Sequence, residues 1–339
     1  STGLAVRIYK KYRDAAIAVV KNDPYRLARE VNGIGFKTAD KIAAQLGIPP
    51  DAPERIMGAA LHLLWESSDD GHVFLPEDEL VTKSVETLSG EAVTIGEEKV
   101  REALERLLTT DSARRERVDE RDVIYLTPYF HAEGGIVRRL GALARSPADC
   151  LAGFKEVDFD RAFAWYTEKR GFTLTDKQRD AVRMALTSKV SVMTGGPGVG
   201  KTATTQAIVA ILKAKKGVPI LAAATGRAAK RLAELTGETA QTLHRLLGVR
   251  FGGEAGRNAE NPLEGDLLIV DEASMLDTLL ANTLLKAVPN DMHLLFVGDV
   301  DQLPSVGAGN VLRDIIASGQ VPVTALDQIF RQAQDSGIV

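Results

Sequence analysis

The sequence predicts two regions of different class: a mostly α-helical N-terminal region, then an α/β domain built on a parallel sheet. Three observations carry this. The 339 residues exceed what one core usually serves, at roughly 150 residues per domain. From about residue 158, apolar strand-like runs (190–194, 219–224, 267–270, 294–297 and 321–325) alternate with helical stretches, the pattern of βαβ units with helices on both faces of the sheet. Before residue 150 short helices surround one hairpin, and Ser146-Pro147 with Gly153 punctuates the change. The boundaries expected are therefore 1–150 and 151–325.

Taken in order, Pro24 to Val31 and Lys37 to Leu46 have helical spacing, and Gly47 with Pro49-Pro50 stops the second. Glu54 to Ser68 is helical, His72 to Leu75 a short strand, and Pro76 to Leu88 and Glu97 to Leu108 helical again. Arg114 to Val118 and Val123 to Leu126 flank a turn at Asp119-Glu120-Arg121-Asp122. Helix, helix, hairpin is the order of a winged-helix element. Tyr129 to Arg145 is an amphipathic helix, and residues 252–265, rich in glycine, read as a mobile surface loop inside the second domain.

Composition is ordinary for a globular chain, 45% hydrophobic and 26% charged, which excludes disordered, collagenous and disulfide-scaffold classes. The longest near-continuous apolar stretch, Ala15 to Val20, is far short of the roughly 20 residues that cross a bilayer. The single cysteine, Cys150, permits no intrachain disulfide and suits a reducing compartment. No signal peptide precedes the helices, and with no initiator Met a chain cut from a longer protein is expected. The net charge of −4 argues against nucleic acid, yet it is unevenly spread. Residues 1–50 hold nine Lys/Arg against four Asp/Glu, and residues 201–250 nine against two, whereas 51–100 and 251–300 are strongly acidic. Two basic segments offer local electrostatic footprints; solvated helix faces are the plainer reading.

The chemistry sits in three motifs. Gly195-Gly196-Pro197-Gly198-Val199-Gly200-Lys201-Thr202 matches the phosphate loop G-x-x-x-x-G-K-[ST] between a strand and a helix. Its backbone N–H groups cradle phosphates at a helix N-terminus; Lys201 reaches the β- and γ-phosphates and Thr202 binds Mg²⁺. The apolar run 267–270 then delivers Asp271-Glu272 at its carboxyl end, with Asp271 to hold Mg²⁺ and Glu272 to polarise the attacking water. Gly298-Asp299-Val300-Asp301-Gln302-Leu303-Pro304-Ser305 ends another apolar strand and offers Gln302 as a sensor of the γ-phosphate.

Residues 172–332 resemble the first ATPase domain, a RecA-like P-loop domain, of a superfamily 1 helicase. Phe172-Thr173-Leu174-Thr175-Asp176-Lys177-Gln178 resembles the adenine-reading Q motif, with Gln178 as the base reader; Thr175-x-x-Gln178 is equally a helix capping box. The string TGRAAKRL at 225–232 resembles motif Ia and AQTLHRLL at 240–247 the next DNA-contacting motif, which implies contacts from Thr225, Arg227, Thr242 and His244. LDQIFRQ at 326–332 resembles motif IV, whose Arg331 would touch the γ-phosphate. The wording is nearer the RecD-type branch than the UvrD-like or Pif1-like ones. Asp23-Pro24-Tyr25-Arg26-Leu27 and residues 33–43 resemble the extended N-terminal region of stand-alone bacterial RecD-like enzymes. The second string is a helix–hairpin–helix pattern (24–46) in which the Gly33 and Gly35 turn presents N–H groups to a DNA phosphate, with Lys37 and Lys41 beside it. A helical hairpin used only for packing is the alternative.

The resemblance implies an ATP-dependent DNA helicase moving 5′→3′ on single-stranded DNA, with ATP and Mg²⁺ as cofactors. It also implies single-stranded DNA and single/double-strand junctions as partners, other repair proteins beside them, and a monomer in the bacterial cytosol with no membrane role. Motifs V and VI of such helicases lie in a second ATPase-like domain, and this sequence stops at Val339, so 326–339 is expected to open that domain. Ser274 after Asp271-Glu272-Ala273 argues against a DEAD-box RNA helicase, and no Asn-Lys-x-Asp guanine motif occurs. A P-loop ATPase acting as a nucleotide-switched DNA-binding protein, without unwinding, is the rival reading. His62, His72, His131 and His293 have no metal-ligand spacing, Trp65 is expected in a core, and Cys150 has no redox role.

Overall fold

The computed structural model describes residues 2–31, 33–90, 94–249, 255–302 and 305–328, which fall into two compact units, Ser1–His131 and Ala132–Val339. The first opens with helices α1 (Thr2–Tyr12), α2 (Ala16–Asn22), α3 (Arg26–Glu30) and α4 (Phe36–Gln45). There follow α5 (Pro53–Asp69), β1 (Phe74–Pro76), α6 (Glu77–Leu88), α7 (Glu97–Thr109), β2 (Ala113–Val118) and β3 (Arg121–Leu126). Pro53 starts α5 at a position where its missing N–H costs nothing. Acids in the first turns of α6 (Glu77, Asp78, Glu79) and α7 (Glu97, Glu98) complement the helix dipoles.

The strands pair antiparallel in the order β1-β3-β2, so α5 through β3 has winged-helix connectivity. Two details differ from the sequence reading. The first strand starts at Phe74, not His72, and the hairpin turn is two residues, Asp119 and Glu120, both at positive φ (47° and 64°). That is the primed geometry that matches strand twist, and it lets β3 begin at Arg121. Trp65, expected in the core, is 36% exposed and packs edge-on against Tyr129.

The second unit takes in most of helix α8 (Thr127–Arg145). Its Ile136 and Leu143 are buried with the sheet residues that follow, which places the unit boundary at His131, upstream of the Ser146-Pro147 punctuation. Then come α9 (Phe159–Arg170), α10 (Asp176–Thr187), β4 (Val190–Thr194), α11 (Lys201–Ala214), β5 (Pro219–Ala223), α12 (Gly226–Thr236), β6 (Ala240–Thr242) and α13 (Leu243–Leu246). The chain continues through β7 (Leu267–Asp271), α14 (Thr278–Ala287), β8 (His293–Gly298), α15 (Val311–Ala317) and β9 (Val323–Ala325). Six strands form one parallel sheet, ordered β6-β5-β7-β8-β4-β9.

Alternate residues of the central strands feed separate cores. Leu267, Ile269, Leu295 and Val297 pack with α9–α11, while Leu268, Val270, Leu294 and Phe296 pack with α8, α14 and α15. Burial on both faces is why these strands read as unbroken apolar runs. β6 escaped the sequence reading because it is a three-residue edge strand with Gln241 at its centre. The described part of the 252–265 loop is held in place: Asn261 Nδ2 donates to Gly256 O (2.8 Å), Asn258 N to Asn261 O (3.1 Å), and Leu263 is buried.

Candidate functional site

Parallel strands bring all their carboxyl ends to one edge, and the register fixes what lies along it. Thr242 of β6 pairs with Ala223 of β5, Ala223 with Asp271 of β7, and Thr194 of β4 with both Gly298 of β8 and Ala325 of β9. Segments 19 to 131 residues apart in the chain thus leave the sheet side by side.

The phosphate loop leaves β4. Gly195, Gly198 and Gly200 have φ of 150°, 79° and 91°, the region that favours glycine. A Cβ on Gly195 would also lie 2.4 Å from Leu326 O, so this position has no room for a side chain. Gly196 has neither constraint. Val199 is buried and pins the loop. Lys201 turns back over it, its Nζ donating to Gly195 O (2.5 Å) and Gly196 O (2.9 Å), where phosphate oxygens could replace those carbonyls. Thr202 occupies the first turn of α11.

Asp271 ends β7, and the Glu272 N–H donates to its Oδ1 (3.0 Å). Burial pushes the Asp271 carboxyl above its ordinary range, and the Glu272 charge adds to this; the Glu272 N–H and the cations of Lys201 and Arg231 oppose it. A buried carboxylate short of positive charge suits a divalent cation, so Thr202 and Asp271 fit Mg²⁺. Glu272 has φ 53°, ψ 42°, a left-handed conformation rare for a residue with a side chain and of the kind that clusters at functional sites. In the third motif, Gln302 is exposed. Buried Asp299 shapes the turn, accepting from Asp301 N at Oδ1 (3.0 Å) and from Gln302 N at its carbonyl (3.3 Å). Ser305 Oγ donates to Gly307 O and Gly309 O.

Gln178 is 1% exposed and completes the capping box: its Oε1 accepts from Thr175 N (3.0 Å), and Thr175 Oγ1 accepts from Gln178 N (3.3 Å). Its Nε2 is buried without a partner among the described residues, leaving both of its N–H donors unused. Thr225 and Thr242 cap α12 and α13, accepting from Ala228 N (3.2 Å) and Arg245 N (3.3 Å). Arg227 and His244 are exposed in the turns those caps begin. Arg331 lies outside the described residues, as do Leu303 and Pro304 and all of 329–339.

In the first unit, Gly33 (φ 77°) makes the hairpin turn and Gly35 is the N-cap of α4. Lys37 and Lys41 are exposed on that helix, while Ile34, Phe36 and Ala39 are buried. The residue that holds the hairpin in place went unnoticed in the sequence. Asp40 accepts from Tyr25 OH (2.8 Å) and, through both oxygens, from Arg55 (2.9 and 3.0 Å), whose Nη1 also donates to Pro50 O and Leu88 O. Burial and Asp40 together push the Tyr25 hydroxyl pKa well up.

Three further groupings were missed. Lys177 pairs with Asp327, and Leu326 N donates to Thr194 O (2.8 Å), so residues 326 and 327 are anchored to α10 and β4. His293, fully buried, lies 2.8 Å from Asp149, which also pairs with Lys155. Burial raises the Asp149 pKa, but Lys155 and His293 hold it down at about 2; burial pushes His293 below its ordinary value despite Asp149. Cys150 Sγ faces Asp266 O (3.2 Å), and burial pushes its thiol up to about 11. No local pattern announces these pairs. No cluster of three metal-ligating side chains, and no helix long and apolar enough to cross a membrane, occurs among the described residues.

The sheet, the cradle after β4 and the acids at the end of β7, with β8 between the two strands, define a P-loop domain of the RecA-like class. An AAA domain family matches residues 178–308, and the family described as the ATP-dependent RecD2 DNA helicase HHH domain matches residues 1–74. The ATP-dependent RecD2 DNA helicase of Deinococcus radiodurans is 36% identical over 345 residues, covering 99% of this chain and 46% of that protein. The RecBCD enzyme subunit RecD of Mycobacterium tuberculosis is 36% identical over 242 residues, covering 64% of this chain and 40% of that one. Among solved structures, the Pif1 helicase from Candida albicans is 26% identical, with a TM-score of 0.38 over 48% of this chain and 41% of that one. The chain is similar to the RecD-like helicases over nearly its whole length. It spans under half the length of these curated relatives.

Proposed function

We propose that this chain is the ATP-hydrolysing and DNA-engaging part of a DNA helicase that moves on single-stranded DNA, 5′→3′, in the bacterial cytosol. The observation that carries it is the single sheet edge from which the phosphate loop, Asp271-Glu272, Gln302 and the Thr225 and Thr242 segments all emerge. Lys201 neutralises phosphate charge, Thr202 and Asp271 hold Mg²⁺, Glu272 accepts a proton from water, and Gln302 and Arg331 sense the γ-phosphate. Mg²⁺ would draw the β- and γ-phosphate charge toward itself. Arg227 and His244 meet the strand, and the Gly33–Lys41 hairpin meets duplex at a junction.

ATP turnover with and without single-stranded DNA tests this: strong stimulation supports a motor, and none favours the nucleotide-switched DNA-binding protein. Unwinding of 5′-tailed against 3′-tailed duplexes by the full-length gene product tests direction. Glu272→Gln should bind Mg-ATP as before yet hydrolyse it about 10²–10⁴-fold more slowly, the usual worth of a positioned base. Loss of nucleotide affinity in that variant would make Glu272 a binding residue instead.

A further inference from the structure

The groove between α8 and α14 has a chemistry that the nucleotide and DNA sites leave unused. It is a cavity of about 440 Å³. Leu143, Leu285, Val288 and Pro289 give it apolar walls; Arg138, Arg139 and Lys286 are its cations, and no carboxylate lines it among the described residues. The two helices approach closely because Gly135 faces Asn282: a Cβ there would lie 2.3 Å from Asn282 Oδ1. Arg139 is fixed in the wall, its Nη1 donating to Gly135 O (3.2 Å) and Asn282 Oδ1 (3.3 Å). Arg138 and Lys286, one on each helix, are exposed and have no ion-pair partner among the described residues.

We propose that this groove docks an acidic peptide segment of a partner protein, anchored by an apolar side chain. Concave apolar walls between two unpaired cations ask for both features at once. A nucleic-acid backbone would satisfy the cations and leave the walls unused, since phosphate contact is a matter of charge. Val288 and Pro289 lead into β8 at its amino end, opposite the carboxyl edge that carries Asp271 and Lys201. Occupancy should therefore leave basal ATP turnover alone.

The test uses the whole chain and a fluorescein-labelled decapeptide of eight aspartates followed by two leucines, read by fluorescence anisotropy. Saturable binding is expected, weakened at least tenfold in the Arg138→Glu, Lys286→Glu double variant and equally by replacing the leucines with serines. ATP turnover by the double variant should match the parent, which also reports that it is folded. Four results would each overturn the proposal: no saturable binding, equal binding by parent and variant, equal binding of the leucine-free peptide, or a loss of duplex-oligonucleotide affinity in place of peptide affinity.

Discussion

The hairpin at 24–46 and the phosphate loop at 195–202 both turn on glycines, yet they are held by different means. The phosphate loop is built from contiguous chain: strand, glycines, helix, with buried Val199 as its pin. The hairpin depends on a polar clamp assembled at a distance, Asp40 with Tyr25 and Arg55, each 15 residues away along the chain. A locally encoded cradle tolerates change elsewhere. A cradle hung on one carboxylate does not, because losing that carboxylate leaves a guanidinium and a hydroxyl short of partners. Substitutions in the two regions should therefore fail in opposite ways.

The largest effect expected is at the phosphate loop, and it should be functional. Lys201→Ala should cut ATP turnover by about 10²–10³ or more, as for other groups aimed at developing charge, with thermal melting unchanged. Near-normal turnover from a folded variant would refute the phosphate-loop assignment. In the hairpin the failure should be structural. Asp40→Ala should destabilise the first unit by about 2–3 kcal/mol, since it strands a half-buried guanidinium. Denaturant melts should show the first unit unfolding earlier while ATP turnover persists; a joint loss of both would erase the contrast.

Smaller is the effect of the exposed cations on the hairpin. Replacing Lys37 and Lys41 with Ala should lower duplex affinity and flatten its salt dependence by about 0.9 log units per log of salt for each lost contact. Single-strand affinity and melting should hold, and an unchanged slope would make the hairpin a packing device. The smallest effect is that of the His293–Asp149 pair. His293 has a folded pKa below its ordinary value near 6.5. As pH falls through that value the unfolded chain takes up a proton that the folded one refuses, and stability drops. Asp149 is depressed too, to about 2, so its contribution, present above the ordinary carboxylate range, is lost only as pH falls toward that value. Melting temperatures between pH 7 and pH 5 should decline in the parent and stay flatter in His293→Gln, which keeps an N–H for Asp149 without titrating. An identical decline in both would place the sensitivity elsewhere.

The sequence by itself determined most of the elements and the order in which the candidate site residues follow them. Buried parallel strands must be apolar throughout, phosphate loops must spend glycines at fixed spacing, and the paired acids follow directly from a strand end. Lys201, Thr202, Asp271 and Glu272 were therefore legible as residues in order, and so was the helix–hairpin–helix at 24–46. Only the tertiary structure decided which parts stand together. It set Ala223 between Asp271 and Thr242, made Gly195 obligatory through Leu326 O, moved the unit boundary into α8 by burying Ile136 and Leu143, and paired Asp40 with Arg55 and His293 with Asp149. The physical reason is range. Hydrophobic period, turn chemistry and caps act over a few residues and leave a local trace. Sheet register and polar pairing join residues 15 to 144 apart, and nothing in the neighbourhood of either partner records the other.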